Sequence, residues 1–238
     1  MSVFRRGSFF WYIVGIFSLV LGAWTYKILL SNGNFQIYKL YHMELSDISL
    51  LAFVIPVFMG IVLKEITGEL DYSKLLCHGN RLDWLRNIIK NLIRICVKYS
   101  LVLLGPMSLM AVFVSNHVSL VTDAIYILFT WTTYTFILII LAFLAFIVKC
   151  RWGMDVIAIL VIMFVSFFPY LASRTFIRQR VITFSDIMNS SYLFTEEGYL
   201  WIRHELMCIM WILLAYSLYA IMRNQIIKMD ILWGQDEN

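Results

Sequence analysis

Six apolar runs, at 9–30, 48–63, 99–114, 124–148, 156–172 and 206–222, dominate this chain of 238 residues, and each is bounded by charged or turn-forming residues. A bilayer core about 30 Å thick requires roughly 20 apolar residues per helix. Lipid offers no hydrogen-bond partner to a bare backbone, so a run that crosses it must fold as a helix. The expected fold is therefore all-α: a polytopic membrane protein with six transmembrane helices in one domain, 1–238. Composition agrees, since 61% of residues are hydrophobic and only 14% are charged, a balance foreign to soluble globular domains. Little chain remains for a soluble catalytic domain. Arg5 and Arg6 ahead of the first run also fit the start of a cleaved secretion signal. The run exits through "LGAWTYK", bulky where a cleavage site needs small residues, so it is expected to stay as a membrane helix.

Orientation follows from Lys and Arg, which favour the cytosolic side. With the amino terminus in the cytosol, Lys27, Lys39, Arg174, Arg178, Arg180 and Arg203 fall outside and the rest of the 19 Lys and Arg residues fall inside. Both termini are then cytosolic, in a plasma membrane. Topology accounts for the net charge of +4, and no nucleic-acid partner is expected. Cys77, Cys96, Cys150 and Cys208 stand apart, with no C-x-x-C, so neither a disulfide framework nor a thiolate metal site is expected. Few Ala and many Ile, Phe, Tyr and Asn residues point to an AT-rich genome, hence a bacterial source.

Several chemistries lack their residues. Without G-x-x-x-x-G-K-[ST] the chain cannot itself cradle ATP phosphates, and H-E-x-x-H and G-x-S-x-G are also missing. The inner portions of the six runs hold no Asp, Glu, Lys, Arg or His. Proton-coupled carriers and intramembrane enzymes place such groups at depth, so neither is favoured. His42, His78, His117 and His204 fall in loops or at helix ends and read as interfacial. Pro56, Pro106 and Pro169 all lie inside apolar runs, as shape-setting kinks or, alternatively, as hinges. Thr130, Thr132, Thr133 and Thr135 in "FTWTTYTF" read as packing hydroxyls.

The stretch between the second and third runs, 64–98, is of another kind. Lys64, Glu65, Glu69 and Asp71 mark emergence into the cytosol, and "SKLLCHGN" reads as a short helix stopped by Gly79, with Asn80 as the next N-cap. From Arg81, Leu82, Leu85, Ile89, Leu92 and Cys96 form an apolar face. Arg86, Lys90, Arg94 and Lys98 form a basic one that would repel itself unless an anionic surface relieved it. The expected element is an amphipathic helix at the membrane surface that bends into the third run.

With Glu65 and Gly68, then Leu75 and Leu76, then Gly79 and Asn80, then Arg81, the chain resembles the six-helix permease subunits of type 2 ABC exporters, including small bacteriocin-immunity and peptide-export permeases. The resemblance covers the whole chain in helix count and order. It implies a cytosolic coupling helix between helices 2 and 3, with Tyr72, Lys74, Leu75, Leu76, Gly79, Asn80 and Arg81 touching the ATPase. It also implies an external helical hairpin at 173–205 before the last helix. Only about eight residues precede the first run, so the long amino-terminal helix of polysaccharide-exporting relatives is missing. Position 88, where the family often has a basic residue, is Ile.

The implied function is that of a transmembrane permease subunit exporting or extracting an amphipathic peptide, bacteriocin or lipid. It would pair with a second permease as homodimer or heterodimer, and contact membrane lipids. This chain would hold no cofactor and catalyse nothing, with ATP and Mg bound by a separate ATPase subunit. Arg174, Arg178 and Arg180 would meet an anionic substrate or lipid headgroup outside. A non-transporting membrane scaffold or sensory subunit is the alternative, with an intramembrane enzyme behind it.

Overall fold

The computed structural model describes residues 3–31, 49–70, 81–114, 120–175, 187–188, 194–195, 198–199 and 201–228. The apolar runs coincide with long helices: α1 (Val3–Ser31), α2 (a π-helical turn Leu50–Val54 continuing as Ile55–Glu69), α3 (Arg81–Val114), α4 (Leu120–Trp152), α5 (Asp155–Thr175) and α6 (Trp201–Lys228). Among the described residues four stretches are long and apolar enough to cross a membrane: Leu50–Glu69, Arg81–Leu109, Ala124–Trp152 and Ile202–Lys228. Shorter apolar stretches, Trp11–Trp24 and Asp155–Phe168, belong to α1 and α5. The outer faces suit lipid. Leu206, Leu213 and Tyr216 on α6 are more than 60% exposed, and Leu160 and Phe164 on α5 are similarly open. Apolar surface of this extent is a liability in water and ordinary in a bilayer.

The core is organised on α3. Trp84, Leu85, Ile88, Leu92, Cys96, Tyr99, Leu103 and Met107 recur every three or four residues and are all buried, one continuous apolar face. The helix α1 lies parallel to α3. Its Trp11 meets Tyr99, with ring centroids 6.3 Å apart. Further along, Ser18 Oγ donates to the Leu103 carbonyl at 2.7 Å. Gly22 then faces Pro106. Val14, Ser18 and Gly22, four apart, are the buried row of α1. Small residues there let the two backbones approach closely. The helix α4 runs antiparallel to α3: Phe146 lies 6.4 Å from Trp84, Thr135 shares a 2.9 Å hydroxyl contact with Ser100, and Trp131 Nε1 donates to Ser108 Oγ at 3.0 Å. A tight turn joins α4 to α5. Gly153 adopts φ +71°, its N–H donates to the Lys149 carbonyl at 2.8 Å, and the Lys149 ammonium reaches Asp155 at 2.8 Å. This is the left-handed cap for which glycine is suited.

Two of the prolines coincide with contacts between helices. A proline removes an N–H and its ring collides with the carbonyl one turn back. At Pro56 the chain widens into the π turn Leu50–Val54, and the Val54 carbonyl accepts the buried Tyr99 hydroxyl at 2.7 Å. At Pro106 the α1 backbone comes close, at Gly22. Pro169 lies within α5, its side chain outside the described residues.

Two expectations change. The stretch 81–98 is not a separate surface helix. It is the first half of the 34-residue α3, because it contains no proline or glycine and its apolar residues stay in phase with Tyr99 and Leu103. At 1.5 Å per residue α3 is about 50 Å long and overreaches the hydrocarbon core. In the region expected to be a helical hairpin, the described residues include a two-residue antiparallel pairing, Phe194 with Tyr199 and Thr195 with Gly198. Phe, Thr and Tyr favour this extended backbone, and only Glu196 and Glu197 separate the paired segments. Residues 187–188 are helical.

The α1–α3 contact predicts a position-specific cost. A Cβ on Gly22 would stand 3.3 Å from Pro106 Cβ, whereas one on Gly15 meets nothing within 4 Å. Gly22→Leu should lower stability in detergent by about 1–3 kcal/mol, with Gly15→Leu close to neutral, as read by denaturant unfolding.

Candidate functional site

The basic end of the bundle is built by the first turn of α3. Helices leave their last four carbonyls without backbone donors. Arg81 Nη1 donates to the Ile227 carbonyl in the last turn of α6 at 3.3 Å. Trp84 Nε1 donates to the Glu69 carbonyl, which ends α2, at 3.2 Å. Trp84 is 1% exposed and its ring packs near Phe146 toward the end of α4. Two side chains one turn apart therefore tie the start of α3 to the ends of α2, α4 and α6. Arg81 also places its charge where a helix C-terminus favours a cation. Asn91 Nδ2 adds a 3.4 Å contact to Glu65 Oε1, a second link between α2 and α3.

Lys64, Arg86, Lys90, Arg94, Arg151, Arg223 and Lys228 are all exposed, and they lie on helix segments that these contacts gather at one end. The basic face expected on 81–98 is thus present and open. Its apolar counterpart lies against the bundle rather than a membrane surface, with Ile88 fully buried and Ile89 only partly so.

Of the residues expected to contact an ATPase, Arg81 is described, and it gives a donor inward to α6. Tyr72, Lys74, Leu75, Leu76, Gly79 and Asn80 lie outside the described residues, in the segment the junction brackets. Of the external arginines, Arg174 lies in the last turn of α5 with its side chain outside the described set, and Arg178 and Arg180 lie outside it altogether.

The opposite end holds a residue that reads as interfacial in the sequence. His204 is 5% exposed and stacks on Phe129 with centroids 3.9 Å apart and planes at 9°. Its Nε2 lies 3.4 Å from Thr132 Oγ1 and 3.4 Å from Cys208 Sγ. Cys208 one turn after His204 was the only sequence signal for this latch between α4 and α6. Among the described residues no group of three metal-ligating side chains occurs. Thr132, Thr133 and Thr135 bond back to carbonyls one turn earlier, the packing role expected of them.

No family model, curated protein or solved structure matches this chain.

The junction predicts graded damage at Trp84. Trp84→Phe keeps the ring packing and loses the bond to Glu69, an interhelical contact typically worth about 0.6–1.7 kcal/mol. Trp84→Ala should cost about 3–5 kcal/mol and speed amide exchange at the end of α2. Equal, small effects from the two variants would contradict the assignment.

Proposed function

We propose that this chain is the membrane permease subunit of an ATP-driven exporter of the type 2 ABC kind. It would cross the membrane six times with both termini cytosolic, beside a second permease, copy or paralogue. A separate subunit would bind and hydrolyse ATP with Mg. The observation that carries the reading is the Arg81–Trp84 junction. Residues 71–80 join the end of α2 to the start of α3, and that start is bonded to the ends of α2 and α6 and packed on α4. A partner that docks on Leu75 and Leu76 and pulls would therefore move four helix ends together. In this chain the mechanism is mechanical: transmit, tilt and open a path between helices. The cargo is an amphipathic peptide, bacteriocin or lipid, because exposed helix faces offer apolar and aromatic surface such as Phe164, Leu206 and Tyr216. Arg174, Arg178 and Arg180 would supply cationic contacts for its anionic part on the outer side.

The test isolates the wild-type chain in detergent from its native membranes, identifies any ATPase that co-purifies, and compares its recovery with Leu76→Asp, Arg81→Ala and the exposed basic control Arg223→Ala. Leu76→Asp puts a charge into an apolar contact, and losing an apolar anchor typically costs about 2 kcal/mol or more, so ATPase recovery should fall at least tenfold. The control should retain it. Equal recovery by Leu76→Asp and the control would leave a membrane scaffold as the better reading.

A further inference from the structure

We propose that the exposed face of α3 from Lys90 to Leu101 is a binding site for one anionic phospholipid. Lys90 and Arg94 hold the phosphate, and the acyl chains lie along Val97 and Leu101. Four cations recur four residues apart on this face, and two already have roles. Arg86 pairs with Asp83 at 3.0 Å, and the Lys98 ammonium sits 4.4 Å from the Trp11 ring centroid. Lys90 and Arg94 are exposed, and no acidic partner is found for either among the described residues. Like charges at this spacing repel, and among the described residues no carboxylate offsets it at this pair.

The geometry selects a lipid over a soluble acidic protein. At 3.6 residues per turn, Leu101 lies about 20° around the helix from Arg94, with Lys90 about 40° and Val97 about 60° away. Val97 and Leu101 are 40% and 43% exposed. The same narrow sector thus carries cations first and open apolar side chains about 10 Å further along the axis. Headgroup above, hydrocarbon below, is the order in which a phospholipid presents itself. Depth agrees. Trp11, held under Lys98, is the aromatic type enriched at the membrane–water boundary, which puts Arg94 at headgroup level. Arg94 offers a planar fork suited to phosphate and Lys90 a mobile point charge. The site rests on the orientation proposed above, with the basic end in the anionic leaflet, and is independent of any ATPase.

The experiment takes the full-length chain from bilayers of equal phosphatidylglycerol and phosphatidylcholine and counts retained lipids by native mass spectrometry. Wild type and Arg223→Gln should retain phosphatidylglycerol in preference. Lys90→Gln with Arg94→Gln should retain at least about tenfold less, since each cation near an anionic surface contributes about 1 kcal/mol. Lys90→Arg with Arg94→Lys, which keeps both charges, should retain far more than the double Gln variant. Raised salt should weaken wild-type retention, a readout that needs no variant. No preference in wild type, or retention unchanged in the double Gln variant, overturns the proposal. So does capture of soluble polyglutamate through Lys90 and Arg94 without lipid preference. Loss of the lipid should leave ATPase recovery in the pull-down unchanged, which separates this site from the coupling segment.

Discussion

Side-chain donors that reach across to a carbonyl of another helix fix the neighbours in this bundle, and four such bonds organise it. Val54, in the π turn ahead of Pro56, receives the Tyr99 hydroxyl. Leu103, in the turn disturbed by Pro106, receives Ser18. Glu69 and Ile227, at the ends of α2 and α6, receive Trp84 and Arg81. Three of the four donors belong to α3, and the fourth bonds to it. Each bond is of modest strength in a membrane, where alternatives within the unfolded helices compete. Their joint effect is positional: they fix which helix lies against which, and at what height.

That arrangement surrounds two of the prolines in its apolar runs, Pro56 and Pro106. In water a kink is relieved by solvent; in lipid it must be relieved by design of the neighbour. Gly22 leaves the room that Pro106 needs, and the widened turn at Leu50–Val54 gives Pro56 a place to begin an α-helix. Tyr99, wholly buried between Trp11 and Phe58, joins α1, α2 and α3 at one point.

The all-helical character and the positions of the long helices were legible in the sequence because bilayer thickness imposes a length on each apolar run. The junction was not. Arg81 read as a partner contact and Trp84 was not singled out, since periodicity reports which side of a helix is apolar and not what covers it. The same limit hid His204, whose surroundings come from Phe129 and Thr132 on another helix. It also made 81–98 look like a surface helix, because a basic stripe opposite an apolar one fits both a membrane surface and the flank of a bundle projecting from it. Tyr72, Leu75 and Leu76 lie outside the described residues. The basic row Arg86, Lys90, Arg94 and Lys98, by contrast, is exposed as its spacing placed it.

The central claim is that the start of α3 is bonded to the end of α6, so that force applied between α2 and α3 reaches the last helix. The direct measurement is cross-linking in native membranes of a chain carrying cysteines only at positions 81 and 227, with a short bifunctional thiol reagent. The account predicts efficient cross-linking of this pair, and none when the second cysteine replaces Ile212, 15 positions earlier on α6. Failure of the 81–227 pair to cross-link, with both cysteines reactive to a monofunctional reagent, would contradict it.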